Sequence, residues 1–198
     1  MDFSFRSYRK IDRILSKIGL RCIVKFKNFI KTRYYIKINK FKSVRKLEIG
    51  PGLKKLPDFE ALNIIDGENV EYIHDITKTF PFKDYTFDII YASHVLEHVP
   101  WYLQKNVFKE LNRILKPKGK LEIWVPDGLK IINIIYDWEY NNINNISLDG
   151  WYKYNDEKDV ITWANGRIFT YGDGSGNLNH PNWHRTLFTP NFLRKKFL

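Results

Sequence analysis

The chain has 198 residues, 43% of them hydrophobic, which is enough to bury a core and by length indicates one globular domain. Its single cysteine, Cys22, excludes a disulfide framework and a cysteine-based zinc site. No window approaches the ~20 consecutive apolar residues of a membrane span. No N-terminal run combines a basic start with an uninterrupted apolar core. These features predict a cytoplasmic protein.

The net charge of +11 is concentrated at the N-terminal end of the chain. Residues 1–46 hold fifteen Lys/Arg and two acids, a balance of +13, whereas the remaining 18 Lys/Arg and 20 Asp/Glu give −2. The charge therefore separates a basic arm, for which we take residues 1–43, from a domain over residues 44–198.

Apolar residues recur in the arm at three- and four-residue spacings with basic residues between them, which predicts two amphipathic helices separated near Gly19. The stripe consists of Ile11, Ile14, Leu15, Ile18, Ile23, Phe26, Phe29, Ile30 and Tyr34. In one interpretation the stripe packs on the domain and the lysines are its solvated face. In the others the arm adsorbs to an anionic membrane surface, at the inner face of the membrane, or binds nucleic acid or a partner protein.

From Lys46 onward, short apolar strands alternate with turns and helices, a pattern typical of an α/β domain with a mostly parallel, doubly wound sheet. The predicted strands cover residues 46–49, 61–65, 71–74, 87–92 and 121–125. A helix is predicted from Pro100 to Lys116. Because only about a dozen residues join the first two strands, near the minimum for a crossover, any helix between them must be short.

Residues at the ends of the first two strands indicate a nucleotide-binding site. Gly50 and Gly52 follow the first strand, where glycine permits a tight turn and the close approach of a ligand. Asp66 ends the second strand, sixteen positions beyond Gly50. A carboxylate at that place can accept hydrogen bonds from both hydroxyls of a ribose.

Beyond the fifth strand the alternation of short apolar strands with turns and helices becomes irregular. We interpret residues 127–185 as a substrate cover, because ligands of such sheets bind outside the carboxyl ends of the strands. Thr189 and Pro190 predict the N-cap and first residue of a last helix.

Five segments in order resemble the class I S-adenosylmethionine-dependent methyltransferases, and most closely a small bacterial and viral group that is methyltransferase type 11-like. The segments are Leu47–Gly52, Asn63–Asp66, His74–Phe82, Phe87–Val99 and Leu115–Lys120. The resemblance is strong over residues 44–126 and weak over residues 184–198. It implies a Rossmann-like fold, S-adenosylmethionine as the cofactor and methyl transfer as the activity.

The resemblance assigns a first set of cofactor residues at the start of the sheet. Glu48, Gly50 and Gly52 match the motif whose backbone meets the methionine part of the cofactor. Asp66 matches the acid that binds the ribose.

A second set of cofactor residues follows from the third and fourth strands. Asp75 with Ile76 matches the position that flanks the adenine. Ala92 and Ser93, followed by His94, match the strand end beneath the sulfonium.

The chain departs from the pattern of this family in three ways. Lys54 stands where a third glycine is expected, and the first crossover helix is shortened. The chain also lacks a signal for the antiparallel strand pair that ends the sheet of the family.

Methyl transfer to a hydroxyl requires alignment of the acceptor with the sulfonium and removal of the acceptor's proton. His94 and His98 are four positions apart and share one face if a helix begins there, so either is a candidate catalytic base. We favour His98; the alternative is that its side chain only caps or packs.

A metal ion is a further alternative. His94-x-x-Glu97-His98 resembles the Glu-x-x-Glu-His of ubiquinone-pathway O-methyltransferases and plant small-RNA 2′-O-methyltransferases, where these groups hold magnesium. Magnesium prefers carboxylate oxygen to imidazole, so we expect proton removal without a metal. His180 and His184 could complete such a site.

These observations predict methyl transfer from S-adenosylmethionine to an oxygen of a glycan or another small surface-related molecule, with the basic arm held at the membrane. One alternative is an RNA methyltransferase whose arm binds phosphate. The other, suggested by the missing glycine, is an inactive subunit that binds the cofactor and serves a partner.

Overall fold

The computed structural model describes residues 21–141 and 154–196. The first predicted helix of the arm and the break near Gly19 lie outside the described residues. Residues 142–153 of the predicted substrate cover also lie outside them.

The described residues form two compact units. The first contains the residues up to Ser93 together with Lys109–Ile123, and the second contains His94–Phe108 and the residues from Trp124 onward. The described part of the basic arm thus belongs to the first unit.

A five-stranded sheet organises the first unit. Its strands are β1 (Lys46–Ile49), β2 (Glu60–Asn63), β3 (Tyr72–Ile73), β4 (Phe87–Ser93) and β5 (Leu115–Trp124), in the order β3-β2-β1-β4-β5. β1 pairs in parallel with β2 and β4, and β2 pairs in parallel with β3. This topology confirms the predicted Rossmann-like, mostly parallel sheet.

Five α-helices accompany the sheet in the described residues. They are α1 (Arg21–Asn39), α2 (Gln104–Ile114), α3 (Gly128–Tyr140), α4 (Val160–Phe169) and α5 (Pro190–Arg194). The loop from β1 to β2 forms turns without a helix. The sequence predicted that any helix in this connection would be short. The N-cap of α5 is Thr189, whose hydroxyl accepts a hydrogen bond from the N–H of Phe192, as predicted.

The helix predicted from Pro100 to Lys116 is shorter than expected at both ends. It begins as a 3₁₀ turn, Trp101–Leu103, becomes α-helical only at Gln104, and ends at Ile114. Pro117 explains the early end, because a proline disfavours helical backbone in the residue before it and supplies no N–H. β5 therefore begins at Leu115, six residues before the predicted start.

Helix α1 packs its polar side against β3, the edge strand of the sheet. The hydroxyl of Thr32 accepts a hydrogen bond of 3.0 Å from the backbone N–H of Ile73, and the Asn39 amide donates one of 2.9 Å to the hydroxyl of Tyr72. Both Thr32 and Asn39 are buried. A sheet edge presents unpaired backbone groups, so polar side chains satisfy this contact better than apolar ones.

The apolar residues of α1 therefore face away from the domain. Ile23, Phe26, Phe29, Ile30 and Tyr34 are each at least half exposed. The interpretation that the stripe packs on the domain is wrong for this described part of the arm. Within the described ranges, no helix is both long and apolar enough to cross a membrane.

A buried polar cluster joins the helix, the sheet and the segment before β1. The guanidinium of Arg45 donates two hydrogen bonds, of 3.0 and 2.7 Å, to the carboxylate of Glu60, which is 1% exposed. The hydroxyl of Tyr72 donates to the same carboxylate. Burial, and then the neighbouring Glu60, raises the pKa of Tyr72 well above its usual range, so this hydroxyl stays a donor.

We expect Glu60→Ala to lower the free energy of unfolding by about 3–5 kcal/mol, because it leaves the buried guanidinium of Arg45 without its counter-ion. Urea denaturation followed by circular dichroism measures the loss. Glu68→Ala is the matched control, since it removes an exposed carboxylate from the same unit. Equal unfolding midpoints for the two variants would contradict the structural role of this cluster.

Candidate active site

The carboxyl ends of the parallel strands lie at one edge of the sheet. Ile49, the last residue of β1, pairs with Leu62 of β2 and with Ala92 of β4, and Leu62 pairs in turn with Tyr72 of β3. The eight residues predicted to bind the cofactor all belong to the first unit. Each lies in β1, in β4, or in a turn that follows β1, β2 or β3.

The turn after β1 has the left-handed backbone that the two glycines predicted. Gly50 has a φ of 68° and Gly52 a φ of 61°, conformations that other residues adopt only at a cost. A Cβ added to Gly52 would meet no atom within 4 Å. The space beside this glycine is therefore open to a ligand.

Glu48 holds the loop that follows this turn. Its Oε2 accepts a hydrogen bond of 2.7 Å from the backbone N–H of Leu56. Burial raises the pKa of the Glu48 carboxyl. The side chain predicted to accompany the methionine part of the cofactor thus also orders the backbone around it.

Asp66 is buried and ion-paired to the basic arm. Its Oδ1 accepts hydrogen bonds from the Nζ of Lys31 at 2.6 Å and from the N–H of Gly67 at 2.9 Å. The Nζ of Lys27 lies 3.4 Å from Oδ2, on a side chain that is 64% exposed. A ribose would therefore share this carboxylate with two lysines, and Oδ2 is the less firmly held oxygen.

Sequence reasoning missed these two lysines. They precede Asp66 by 39 and 35 positions, and no motif connects them to it. The signal that was present is their four-residue spacing, which places both on one side of a helix.

The remaining predicted cofactor residues occupy the ends of β3 and β4. Asp75 stabilises the turn after β3, because its Oδ1 accepts hydrogen bonds from the backbone N–H and the hydroxyl of Thr77, at 2.9 and 2.8 Å. Ile76 next to it is partly buried. In β4, Ala92 is buried and Ser93 is the last residue of the strand.

The second unit begins with a strained residue. His94 has a φ of 53°, a left-handed backbone that is uncommon for residues other than glycine. A 3₁₀ turn follows over Leu96–His98, not the regular helix that would place His94 and His98 on one face. His94 precedes this turn, and its Nδ1 lies 3.1 Å from Oε1 of the Glu97 carboxylate.

Glu97 is a buried carboxylate, 1% exposed. Burial raises its pKa, while the adjacent His94 acts in the opposite direction. Its Oε2 is buried without a hydrogen-bond partner among the described residues. The backbone carbonyl of Glu97 accepts hydrogen bonds from the N–H groups of Arg185 and Thr186, at 2.7 and 3.1 Å.

These backbone hydrogen bonds bring His184 next to Glu97 and His98. Its Nε2 lies 3.9 Å from Oε1 of Glu97, and its ring centroid is 4.9 Å from that of His98. Burial lowers the pKa of His98, and burial together with the neighbouring His98 lowers the pKa of His184 to about 4. Both imidazoles are therefore neutral at neutral pH.

Glu97, His98 and His184 can offer ligand atoms that all lie within 4.8 Å of one another, a spacing that could hold a metal ion. His180, the other histidine considered for such a site, instead lies 3.9 Å from Asp173. No structural observation tests the predicted role of His94 or His98 as a base, and both roles stay predictions.

The sequence pattern of the methyltransferase domain family matches residues 39–123. The demethylmenaquinone methyltransferase of Bacillus cytotoxicus is 37% identical over 82 residues, which are 39% of this chain and 34% of that protein. The protein of the same name from Listeria welshimeri is 40% identical over 62 residues, 31% of this chain and 25% of that protein. The chain thus spans about a third, or less, of the length of these relatives.

Among solved structures, a SAM dependent methyltransferase from Archaeoglobus fulgidus is similar with a TM-score of 0.44 and 15% sequence identity. The similarity covers 85% of this chain and 66% of that one. The family match extends over every residue predicted to bind the cofactor, and His184 lies outside it.

We expect Asp66→Ala to weaken binding of S-adenosylmethionine by about 1.5–3 kcal/mol, the free energy of a lost charge-assisted hydrogen bond to the ribose. Isothermal titration calorimetry measures the affinity, and circular dichroism establishes that the variant is folded. Glu68→Ala, which changes an exposed acid two positions away, should bind like the wild type. Unchanged affinity in folded Asp66→Ala would exclude this carboxylate from the cofactor site.

Proposed function

We propose that the chain is a class I S-adenosylmethionine-dependent methyltransferase, as the match of residues 39–123 to the methyltransferase domain family supports, and that it transfers a methyl group to an oxygen of a glycan or another small surface-related molecule. The observation that carries the proposal is the left-handed glycine turn after β1, which shares the carboxyl edge of the sheet with Asp66. Open space beside Gly52 and the loosely held Oδ2 of Asp66 fit the cofactor.

The family resemblance implies the roles of the residues in the first unit. Gly50 and Gly52 let the backbone approach the methionine part of the cofactor, and Asp66 accepts the ribose hydroxyls. Asp75 with Ile76 flanks the adenine, and Ala92 with Ser93 lies beneath the sulfonium. When bound, S-adenosylmethionine supplies an activated methyl group, so the protein has to align the acceptor and remove its proton.

We assign the proton transfer to His94. Its side chain is 67% exposed and can meet an acceptor, and it directly follows Ser93, the end of β4. With Nδ1–H donated to the buried Glu97, the lone pair of Nε2 is left to take the proton of the acceptor hydroxyl. His98, the base favoured from the sequence, is less exposed and lies beside His184, which makes it the second candidate.

We also propose that the basic arm binds an anionic membrane surface, and the exposed side of α1 supports this. Phe26, which is 66% exposed, Ile30 and Tyr34 point away from the domain together with the exposed Arg33 and Lys37. Apolar side chains interspersed with cations match the surface of an anionic bilayer, which accepts both. A nucleic acid would use the cations and leave the aliphatic side chains in water.

We expect His94→Ala to lower the rate of methyl transfer by about 10²–10⁴-fold, because it removes the base, and to leave the affinity for S-adenosylmethionine unchanged. The assay follows labelled methyl groups from S-adenosylmethionine into hexose-containing glycans, with single-stranded RNA as a second acceptor. His180→Ala controls for the loss of a histidine outside this cluster.

Two results of this assay would overturn the proposal. Methylation of RNA but not of glycans would favour the RNA methyltransferase. Binding of the cofactor without transfer to either acceptor class would favour the inactive partner subunit.

We expect the full chain to pellet with vesicles of phosphatidylcholine and phosphatidylglycerol in equal parts, and Phe26→Ala to weaken this binding by roughly 5–30-fold through loss of buried apolar area. Leu178→Ala is the control, because it removes a similarly exposed apolar side chain from a different unit. Equal pelleting of the two variants would contradict insertion of the α1 face, and pelleting that high salt abolishes in both would indicate charge attraction alone.

A further inference from the structure

We infer that Glu97, His98 and His184 form a binding site for one divalent transition-metal ion. The three side chains lie in the second unit and can place one ligand atom each within 4.8 Å of the others. Two imidazoles and one carboxylate form the donor set that Zn²⁺, Mn²⁺, Fe²⁺ and Co²⁺ accept, and that Mg²⁺ disfavours because of its preference for oxygen.

The carboxylate of Glu97 needs a cation that the described residues do not provide in full. It is 1% exposed, and Oε1 lies 3.1 Å from Nδ1 of His94 and 3.9 Å from Nε2 of His184. Oε2 has no hydrogen-bond partner in the described part of the chain. A buried carboxylate oxygen left without a partner is costly, and a bound ion removes that cost.

The hydrogen bonds of His184 prepare it as a ligand. Its Nδ1 lies 3.1 Å from the carbonyl oxygen of Arg167. A carbonyl can only accept, so the hydrogen of the neutral imidazole is on Nδ1 and the lone pair is on Nε2. Nε2 is the atom that faces Glu97. Metal-binding histidines characteristically donate their other N–H to a backbone carbonyl in this way.

The second imidazole has a similar, looser arrangement. The Nδ1 of His98 lies 3.4 Å from the carbonyl oxygen of Trp183, the residue before His184. The backbone N–H groups of Arg185 and Thr186 bind the carbonyl of Glu97. The segment that carries His184 is thus held against the turn that carries Glu97 and His98, which gives the three ligands a preformed geometry.

The rigidity of this turn has a second source. The buried amide of Gln104 donates hydrogen bonds to the carbonyl of Leu96, at 2.7 Å, and to the hydroxyl of Thr186, at 3.2 Å. That hydroxyl in turn donates to the carbonyl of Val99 at 2.6 Å. These bonds join the two segments on either side of the ligands, as expected of a site whose ligands are positioned before binding.

Three protein ligands leave coordination positions open, which is the pattern of sites where a metal also binds a substrate. Resting on the proposed function, we assign those positions to the oxygen of the methyl acceptor. His94, which contacts Oε1 of Glu97, would then remain the base.

Titration of the metal-free full chain with Co²⁺, followed by visible absorption and by calorimetry, tests the site without cofactor or acceptor. We expect one ion per chain and competition by Zn²⁺. His184→Ala and the nearly isosteric Glu97→Gln should each weaken binding at least about tenfold, a loss of about 1.4 kcal/mol. His180→Ala, in the same segment but outside the cluster, should bind like the wild type.

Several outcomes would overturn the inference. One is that the folded wild type does not bind Co²⁺. Another is that His184→Ala and Glu97→Gln bind Co²⁺ as tightly as the wild type, which would indicate binding at scattered surface sites. Circular dichroism of Glu97→Gln establishes that a loss of binding is not a loss of fold. Methyl transfer by a chain that binds no Co²⁺ or Zn²⁺ would refute the metal site and keep the proposed function. Metal binding without methyl transfer to any acceptor would refute the proposed function and keep the metal site.

Discussion

The edge of the sheet at β3 is the constraint on which the arrangement of the first unit depends. The N–H of Ile73 needs a hydrogen-bond partner, and Thr32 of α1 provides it at 3.0 Å. An edge strand is polar along its backbone, so the helix that covers it must turn polar side chains inward. Two consequences follow from that single requirement: the apolar residues of α1 face outward, and Lys31 reaches Asp66 at the carboxyl edge of the sheet. The basic arm therefore contributes to the predicted cofactor site and also offers a separate, exposed surface.

In the second unit the corresponding constraint is the burial of one carboxylate. Glu97 lies in a 3₁₀ turn that is stabilised by a hydrogen bond from the amide of Gln104. The backbone carbonyl of Glu97 accepts hydrogen bonds from the segment that carries His184. Desolvation of a buried carboxylate costs free energy, and contacts with polar groups offset that cost. Two histidines of this unit contact its Oε1, His94 on an exposed side and His184 on a buried one. The proposed base and the proposed metal site thus share one acid.

Each of the two units contains different groups that the proposed reaction requires. The sheet and its turns provide the groups expected to hold S-adenosylmethionine, and they contain every residue that the family resemblance assigned to that cofactor. The second unit contains His94, His98 and His184, the groups able to accept a proton or bind an ion, together with α3 and α4 of the predicted substrate cover. In methyl transfer the cofactor brings the reactive group, so the protein has to supply orientation and a base.

The sequence alone was sufficient for the parallel sheet and for the glycine turn after its first strand, because these depend on local patterns: short apolar runs and glycines just past a strand. Strand and helix ends were less accurate, as at Pro117, where the helix stops two residues early. Only the tertiary structure decided that α1 packs by its polar side, that Lys31 pairs with Asp66, and that His184 joins Glu97 from 87 positions away. The physical reason is that hydrophobic periodicity reports which residues share a face of a helix but not what that face contacts. Contacts between distant segments depend on hydrogen bonds and buried charges, which leave no period in the sequence.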